Sequence, residues 1–389
     1  MCRLQQPYLK PLFLRNILLS LAFLPWSISG FTALPIPAPP AFEADSYALM
    51  DYATGSFLIE KNADTPLEPA SLTKIMTAYI IFDELKKGRL TLEEETIVSE
   101  KAWRTGGSRM FIEVNKSVSI NDLLHGLIIQ SGNDAAVALA EHVAGSEEAF
   151  ADMMNQYART LGMQNTHFAN AAGWPADNHV TTARDLAILA HAMIKHFPDP
   201  YQLHAVRAYE YNDIKQYNRN KLLWQDGSVD GIKTGHTSGA GYCLVASAVR
   251  NDMRLISVIM GASSERLRNR SSARLLNFGF RFYESTEIYK AGQELVRSRI
   301  WKGAQQKISL GLANKLIVTI PRGSYDDLNA ELEFSEKIIA PVQKGTVMGK
   351  AIVTLDEKNL ATLPLIALED VPEGNPWVRM VDSIRLMLE

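Results

Sequence analysis

Three short groups of residues in this chain carry side chains suited to nucleophilic chemistry. Ser71-Leu72-Thr73-Lys74 sets a hydroxyl and an amine three residues apart, which on a helix is one face. Pro69 and Ala70 lead into it, so Ser71 falls near a helix N-terminus. There the free backbone N–H groups and the helix dipole can stabilise a developing oxyanion. An amine one turn away can take the serine proton once burial or a nearby cation lowers its pKa. Ser131-Gly132-Asn133 breaks a helical stretch, and a loop can aim both side chains into one cleft. A hydroxyl in that place can relay a proton, and an amide can bind a carbonyl. Lys233-Thr234-Gly235, followed by His236-Thr237, opens an apolar strand. Lysine and threonine can hold a carboxylate, and Gly235 would let a substrate backbone approach the strand.

Taken singly, each group is ordinary. A Ser-x-x-Lys turns up about once by chance at average composition in a chain of this length. A lone Ser-Gly-Asn is as readily a helix-cap turn, and a lone Lys-Thr-Gly a plain strand start. In this order, however, they match the motif set of penicillin-binding proteins and class A β-lactamases. The surrounding stretches carry the match further: Pro69-Ala70-Ser71-Leu72-Thr73-Lys74, Gln130-Ser131-Gly132-Asn133-Asp134-Ala135, Asp230-Gly231-Ile232-Lys233-Thr234-Gly235-His236-Thr237, Met253-Arg254-Leu255-Ile256-Ser257 and Ile320-Pro321-Arg322-Gly323. With these the chain resembles the low-molecular-weight penicillin-binding proteins, specifically D-alanyl-D-alanine carboxypeptidases of the penicillin-binding protein 5 type. The resemblance covers nearly everything after the N-terminal leader.

That resemblance implies roles. Ser71 would be the acylated nucleophile and Lys74 its general base. Ser131 would relay a proton to the leaving amine, and Asn133 would position the substrate amide. Lys233 and Thr234, with Gly235 beside them, would recognise the terminal carboxylate of D-Ala-D-Ala. The backbone N–H groups of Ser71 and His236 would form the oxyanion hole. Arg268 would support carboxylate binding, although with Arg266 and Arg270 beside it the position also reads as a solvated surface arginine. The implied substrate is the peptidoglycan pentapeptide, with β-lactams as inhibitors and no cofactor or metal.

The elements that must position these groups follow from the hydrophobic pattern. Tyr47 to Asp51 and Ser56 to Glu60 read as strands around a Thr54-Gly55 turn. Leu72, Ile75, Met76, Tyr79, Ile80 and Phe82 recur at helical spacing up to Gly88. Asn121 to Ile129 and Ala135 to Ala144 are predicted helices on either side of Ser131-Gly132-Asn133. Thr182-Ala183-Arg184-Asp185 reads as a capping box opening a helix to Ile194. Tyr242 to Val249 and Leu255 to Met260 are apolar and β-branched, with a hairpin turn at Arg250-Asn251-Asp252. Ser272 to Tyr283 is again helical. The expected fold is an α/β (α+β) domain like serine β-lactamases and transpeptidases, over residues 46–285, with an antiparallel sheet and a helical subdomain. A small all-β domain follows at 291–370, where short strands are expected at Leu316–Ile320, Leu328–Phe334, Val347–Leu355 and Leu360–Leu368.

Both termini look different. Arg3, Lys10 and Arg15 precede an apolar run from Ile17 to Leu24, and small residues follow at Ser27-Ile28-Ser29-Gly30. This is the layout of a signal peptide, residues 1–29, with cleavage after Ser29; an uncleaved anchor is the alternative. Residues 30–45 form a proline-rich linker. At the other end, Pro376 opens a predicted helix, 376–389. Trp377, Met380, Val381, Ile384, Met387 and Leu388 make its apolar stripe, with Arg379, Asp382, Ser383, Arg385 and Glu389 between them. That suits an interfacial helix, which the resemblance would place on the periplasmic face of the inner membrane; a helix packed on its own domain is the other reading.

Composition removes several classes. The net charge of -3 gives no basic face for nucleic acid. Cys2 and Cys243 are the only cysteines, and loss of the leader leaves one thiol and no bridge. Cys243 lies in an apolar strand, where an inert buried thiol is expected. No Gly-x-Ser-x-Gly elbow and no His-Glu-x-x-His occurs. His142, His167, His179, His191 and His196 read as surface or satisfied core histidines. A class A β-lactamase needs a deacylating glutamate, for which the loop after His167 offers no candidate. A scaffold with a decayed site has no need of three intact motifs. A cross-link endopeptidase would use the same machinery; the β domain and terminal helix favour the carboxypeptidase by resemblance. The sequence leaves homodimerisation open.

Overall fold

The computed structural model describes residues 36–388. The leader read at 1–29 and the first part of the linker lie outside these residues. The chain divides between Phe282 and Tyr283 into two compact units.

The first unit is built on a five-stranded antiparallel sheet. Its order is Phe57–Lys61, Ser46–Asp51, Met253–Ala262, Gly241–Arg250, Val229–Thr237. The three inner strands are buried along nearly their whole length, because helices cover the sheet. Ala183–His196 packs against it, as does Glu265–Phe282. Gly279 makes the second contact possible: a Cβ there would meet Leu255 and Leu49 side chains at 2.5 and 2.7 Å. The hairpin joining Gly241–Arg250 to Met253–Ala262 turns on Asn251 and Asp252, both at positive φ, as a two-residue primed turn requires.

The helical block surrounds Lys74–Lys86. Ten of its thirteen side chains are buried, so it is a core helix covered on most sides rather than a one-faced surface helix. The stretch expected as one helix from Asn121 to Ile129 is Ile120–His125 continued by a wider turn, Gly126–Gln130. Thr182 caps Ala183–His196 as expected, accepting the Asp185 N–H at 3.1 Å. The reciprocal half of a capping box is missing. The Asp185 carboxylate instead accepts the Asn165 N–H at 2.8 Å and the Thr166 hydroxyl at 2.7 Å.

The last helix of this unit starts at Glu265, seven residues before the expected Ser272, because its first turns carry polar residues that do not read as an apolar stripe. The second unit begins at Tyr283 rather than near Ala291: Tyr283–Tyr289 is a strand paired with Leu316–Pro321. A six-stranded sheet follows the order Leu328–Phe334, Val347–Leu355, Lys358–Ala367, Lys307–Leu312, Glu294–Trp301, Ile338–Ile339. Alternate residues such as Leu316, Val318 and Ile320, or Ala351 and Val353, fill one core. Pro376–Leu388 is a helix with no buried residue. No helix among the described residues is long and apolar enough to cross a membrane.

Candidate active site

Ser71 lies on a tight turn, Ala70–Thr73, that runs into Lys74–Lys86. Ala70 holds φ 47, a left-handed conformation that costs a non-glycine residue about 1–3 kcal/mol and marks functional sites. The turn is locked from two sides. A Cβ on Gly173 would fall 1.9 Å from the Ala70 carbonyl oxygen, and one on Gly235 would fall 3.1 Å from that of Pro69. Gly235 thus lets the strand Val229–Thr237 seat against the Ser71 turn, a tighter constraint than the substrate approach expected from sequence.

Lys74 is 1% exposed. Its Nζ donates to Ser71 Oγ at 3.1 Å, Asn133 Oδ1 at 2.6 Å and the Ala172 carbonyl at 2.5 Å. All three N–H directions of an ammonium therefore have acceptors. Burial pulls its pKa down to about 7; Arg219 pushes the same way, while Asp134 and Glu147 oppose. Lys233 is the second buried amine. It donates to Ser131 Oγ at 2.8 Å and the Thr234 carbonyl at 3.0 Å. Burial first, then Lys74, Arg219 and Arg268, hold its pKa well below the lysine range.

The loop between the two helices delivers its side chains as expected. Ser131 sits at φ 66, ending the wide turn Gly126–Gln130. Asn133 turns its oxygen to Lys74 and donates its Nδ2 to the Gly106 carbonyl at 2.9 Å. Ser71, Ser131, Asn133, Thr234, Gly235, His236 and Arg268 all line one cleft of about 850 Å³, with the two amines beneath it. The His236 ring lies 4.0 Å from that of Tyr242. Arg268 is 4% exposed, its Nε donating to Asn269 Oδ1 at 3.0 Å, so the surface-arginine reading is excluded.

Sequence reasoning missed several supports. Asn170 Oδ1 accepts the N–H groups of Ala172, Gly173 and Trp174 at 3.2, 2.7 and 3.0 Å, and so presents the Ala172 carbonyl to Lys74. Asp134, buried, accepts from the N–H groups of Met110, Phe111, Ile112 and Ala135. It fixes a loop in which Phe111 stands at φ 71 and lines the cleft. Asn170 before Gly173 and Pro175 is a turn signal; no signal tied Asp134 to residues more than twenty positions away. Cys243 is buried, and burial pushes its thiol up to about 11, so it is inert as expected.

A serine and an amine on adjoining turns, answered across a cleft by a second serine–amine pair on loop and strand, define a penicillin-interacting serine hydrolase. Residues 35–264 match the family described as D-alanyl-D-alanine carboxypeptidase, and residues 283–373 match the penicillin-binding protein 5 C-terminal domain. The chain is 43% identical over 366 residues to the D-alanyl-D-alanine carboxypeptidase DacC of Escherichia coli, across 92% of each. To DacA of the same organism it is 42% identical over 360 residues, covering 90% of this chain and 89% of that one. Penicillin binding protein 5 from Haemophilus influenzae, a solved structure, superposes with a TM-score of 0.83 at 40% identity, over 87% of this chain and 100% of that chain. The chain belongs to the D-alanyl-D-alanine carboxypeptidase family of serine peptidases.

Proposed function

We infer that the chain is a serine D-Ala-D-Ala carboxypeptidase of peptidoglycan stem peptides, working through a Ser71 acyl-enzyme that β-lactams trap. The observation that carries this reading is the Lys74–Ser71 contact at 3.1 Å with the amine's pKa brought to about 7. Such an amine is half neutral at pH 7 and can accept the Ser71 proton as Oγ attacks the carbonyl of the penultimate D-Ala. The backbone N–H groups of Ser71 and His236 take the oxyanion. Ser131, touching Lys233, passes a proton to the departing amine of the terminal D-Ala. Water then hydrolyses the ester and restores Ser71. Lys233, Thr234 and Arg268 hold the substrate carboxylate, and Asn133 the upstream amide.

The test is release of free D-alanine from a peptide ending in Lys-D-Ala-D-Ala, with Ser71→Ala as control. Release that vanishes in the variant is expected. A folded chain that releases none would shift the reading to a cross-link endopeptidase.

The proposed setting is the periplasmic face of the inner membrane, reached through the leader and held by the helix Pro376–Leu388. Supporting this, Trp377, Met380, Ile384, Met387 and Leu388 are all exposed. A chain ending at Gly374 should leave the membrane fraction; unchanged sedimentation would refute the attachment.

A further inference from the structure

The second unit holds a cavity that the hydrolase reaction does not use. It has a volume of about 570 Å³ and lies between the helix Pro376–Leu388 and the segment 299–307. The helix is tied down along this side. Asp382 Oδ2 accepts the Lys302 N–H at 2.7 Å, and the Gly374 N–H donates to the Lys302 carbonyl at 2.8 Å. Three basic side chains line the cavity: Arg299, Lys307 and Arg385. Only Arg299 has an acidic neighbour, Asp382 at 3.8 Å, and its guanidinium stacks on the Trp301 ring at 3.5 Å. Lys307 and Arg385 pair with no carboxylate among the described residues. The lining thus carries an excess of positive charge with open hydrogen-bond donors.

The position of the cavity gives this charge a meaning. At 3.6 residues per turn, Met387, Met380, Ile384, Trp377 and Leu388 fall in one arc of about 100°. Trp377 is 69% exposed and Met387 86%. The cavity-lining residues Trp377, Val381, Arg385, Val378 and Asp382 occupy the next arc round, and Trp377 belongs to both. A helix lying with its exposed arc in the acyl layer would hold the cavity mouth at headgroup level. Tryptophan at the border is the residue that favours that depth.

We propose that this cavity binds the phosphate of an anionic phospholipid headgroup, with Lys307 and Arg385 as its principal contacts and Arg299 as a stacked, preoriented third. The proposal rests on the membrane attachment inferred above and adds to it a site and a lipid class. Attachment then has two separable parts: the apolar arc binds any fluid bilayer, and the basic cavity selects an anionic one.

The experiment is vesicle co-sedimentation of the full chain, comparing phosphatidylglycerol with phosphatidylcholine. Each basic side chain near an anionic surface contributes about fivefold to partitioning. Lys307→Gln combined with Arg385→Gln should therefore lower binding to phosphatidylglycerol by about 30-fold, leaving phosphatidylcholine binding and D-alanine release from a soluble peptide unchanged. Lys290→Gln with Lys315→Gln removes the same charge from exposed positions outside the cavity, and should cost far less. Equal losses in the two double variants would reduce the effect to diffuse charge and overturn the site. Equal binding of the unmodified chain to both lipids would overturn the site and leave the attachment standing. Binding to neither would remove the attachment itself. Saturable binding of inorganic phosphate without vesicles, lost in the cavity variant, would assign the pocket to a soluble anion and overturn the lipid.

Discussion

The pKa of Lys74 is the quantity on which the proposed acylation step depends most directly. An ordinary lysine at 10.5 is neutral in about 3 molecules in 10,000 at pH 7, whereas one at about 7 is neutral in half, a gain in competent base of about 1,500-fold. If the neutral amine takes the Ser71 proton, acylation tracks the neutral fraction. The second-order rate of labelling by a fluorescent penicillin should then be about 50-fold lower at pH 5 than at pH 7, and should no more than about double from pH 7 to pH 9. The neighbours supply a signed test. Glu147 favours the ammonium, so Glu147→Gln should move the midpoint to lower pH. That change keeps an oxygen for the Ala171 N–H now held at 3.2 Å. Arg219 disfavours the ammonium, so Arg219→Gln should move the midpoint upward. A flat profile, a midpoint above pH 9, or shifts of both variants in one direction would refute the reasoning.

Two further perturbations probe the frame around the site. Asp134→Asn turns an amide NH2 toward part of a set of four backbone N–H donors. With about two charge-assisted bonds lost at about 1.5–3 kcal/mol each, urea unfolding should show a loss of about 3–6 kcal/mol; a loss below about 1 kcal/mol would mean the carboxylate does not hold the Phe111 loop. His179 and His204 are buried, and burial brings both down to about 4 from 6.5. The unfolded chain therefore binds more protons between those values, and stability falls as pH drops from 6.5 toward 4. The loss from pH 7 to pH 4.5 is about 2 kcal/mol per histidine, read from denaturant midpoints; His204→Gln should remove its share, and an unchanged pH dependence in that variant would contradict the assignment.

What the sequence made legible follows from covalent spacing. Ser71 and Lys74 meet because helical turns bring residues three apart together, and the residue types name the chemistry. The hairpin at Asn251 and Asp252 was legible for the same local reason. Contacts made by backbone atoms were not. The Ala172 carbonyl on Lys74 belongs to a residue whose side chain says nothing about it. Long-range side-chain pairings were equally hidden: Asn133 Oδ1 reaches Lys74 across 59 positions. Arg268 was ambiguous because the start of its helix, Glu265 to Arg270, is polar apart from Leu267, and polarity at a cleft wall is indistinguishable in sequence from polarity facing solvent. In the second unit, Glu294–Trp301 escaped notice because its apolar alternation breaks where the pairing with Lys307–Leu312 shifts register, between Glu294 and Val296.

The two buried amines are best understood together. Each sits against a serine, each is pushed toward neutrality by burial, and Lys74 further disfavours charge on Lys233. Interacting amines titrate as a pair rather than singly. In the proposed reaction, a substrate carboxylate held by Lys233 and Thr234 would place an anion directly beside Lys233, and so favour its protonated form. A charged Lys233 would in turn disfavour charge on Lys74; where that field outweighs the opposing one of the carboxylate itself, the base is left neutral in the substrate complex. On this reading the carboxylate would be more than a handle: the group that is recognised would also set the protonation state of the base. Simple recognition and this coupling make different demands on a peptide ending in D-Ala-D-Ala amide. Recognition alone raises KM and leaves kcat in place. Coupling lowers kcat as well, and shifts the acid limb of kcat to higher pH relative to the free-acid peptide. An amide substrate that loses only KM, with an unmoved limb, would show that Lys233 and Lys74 act independently.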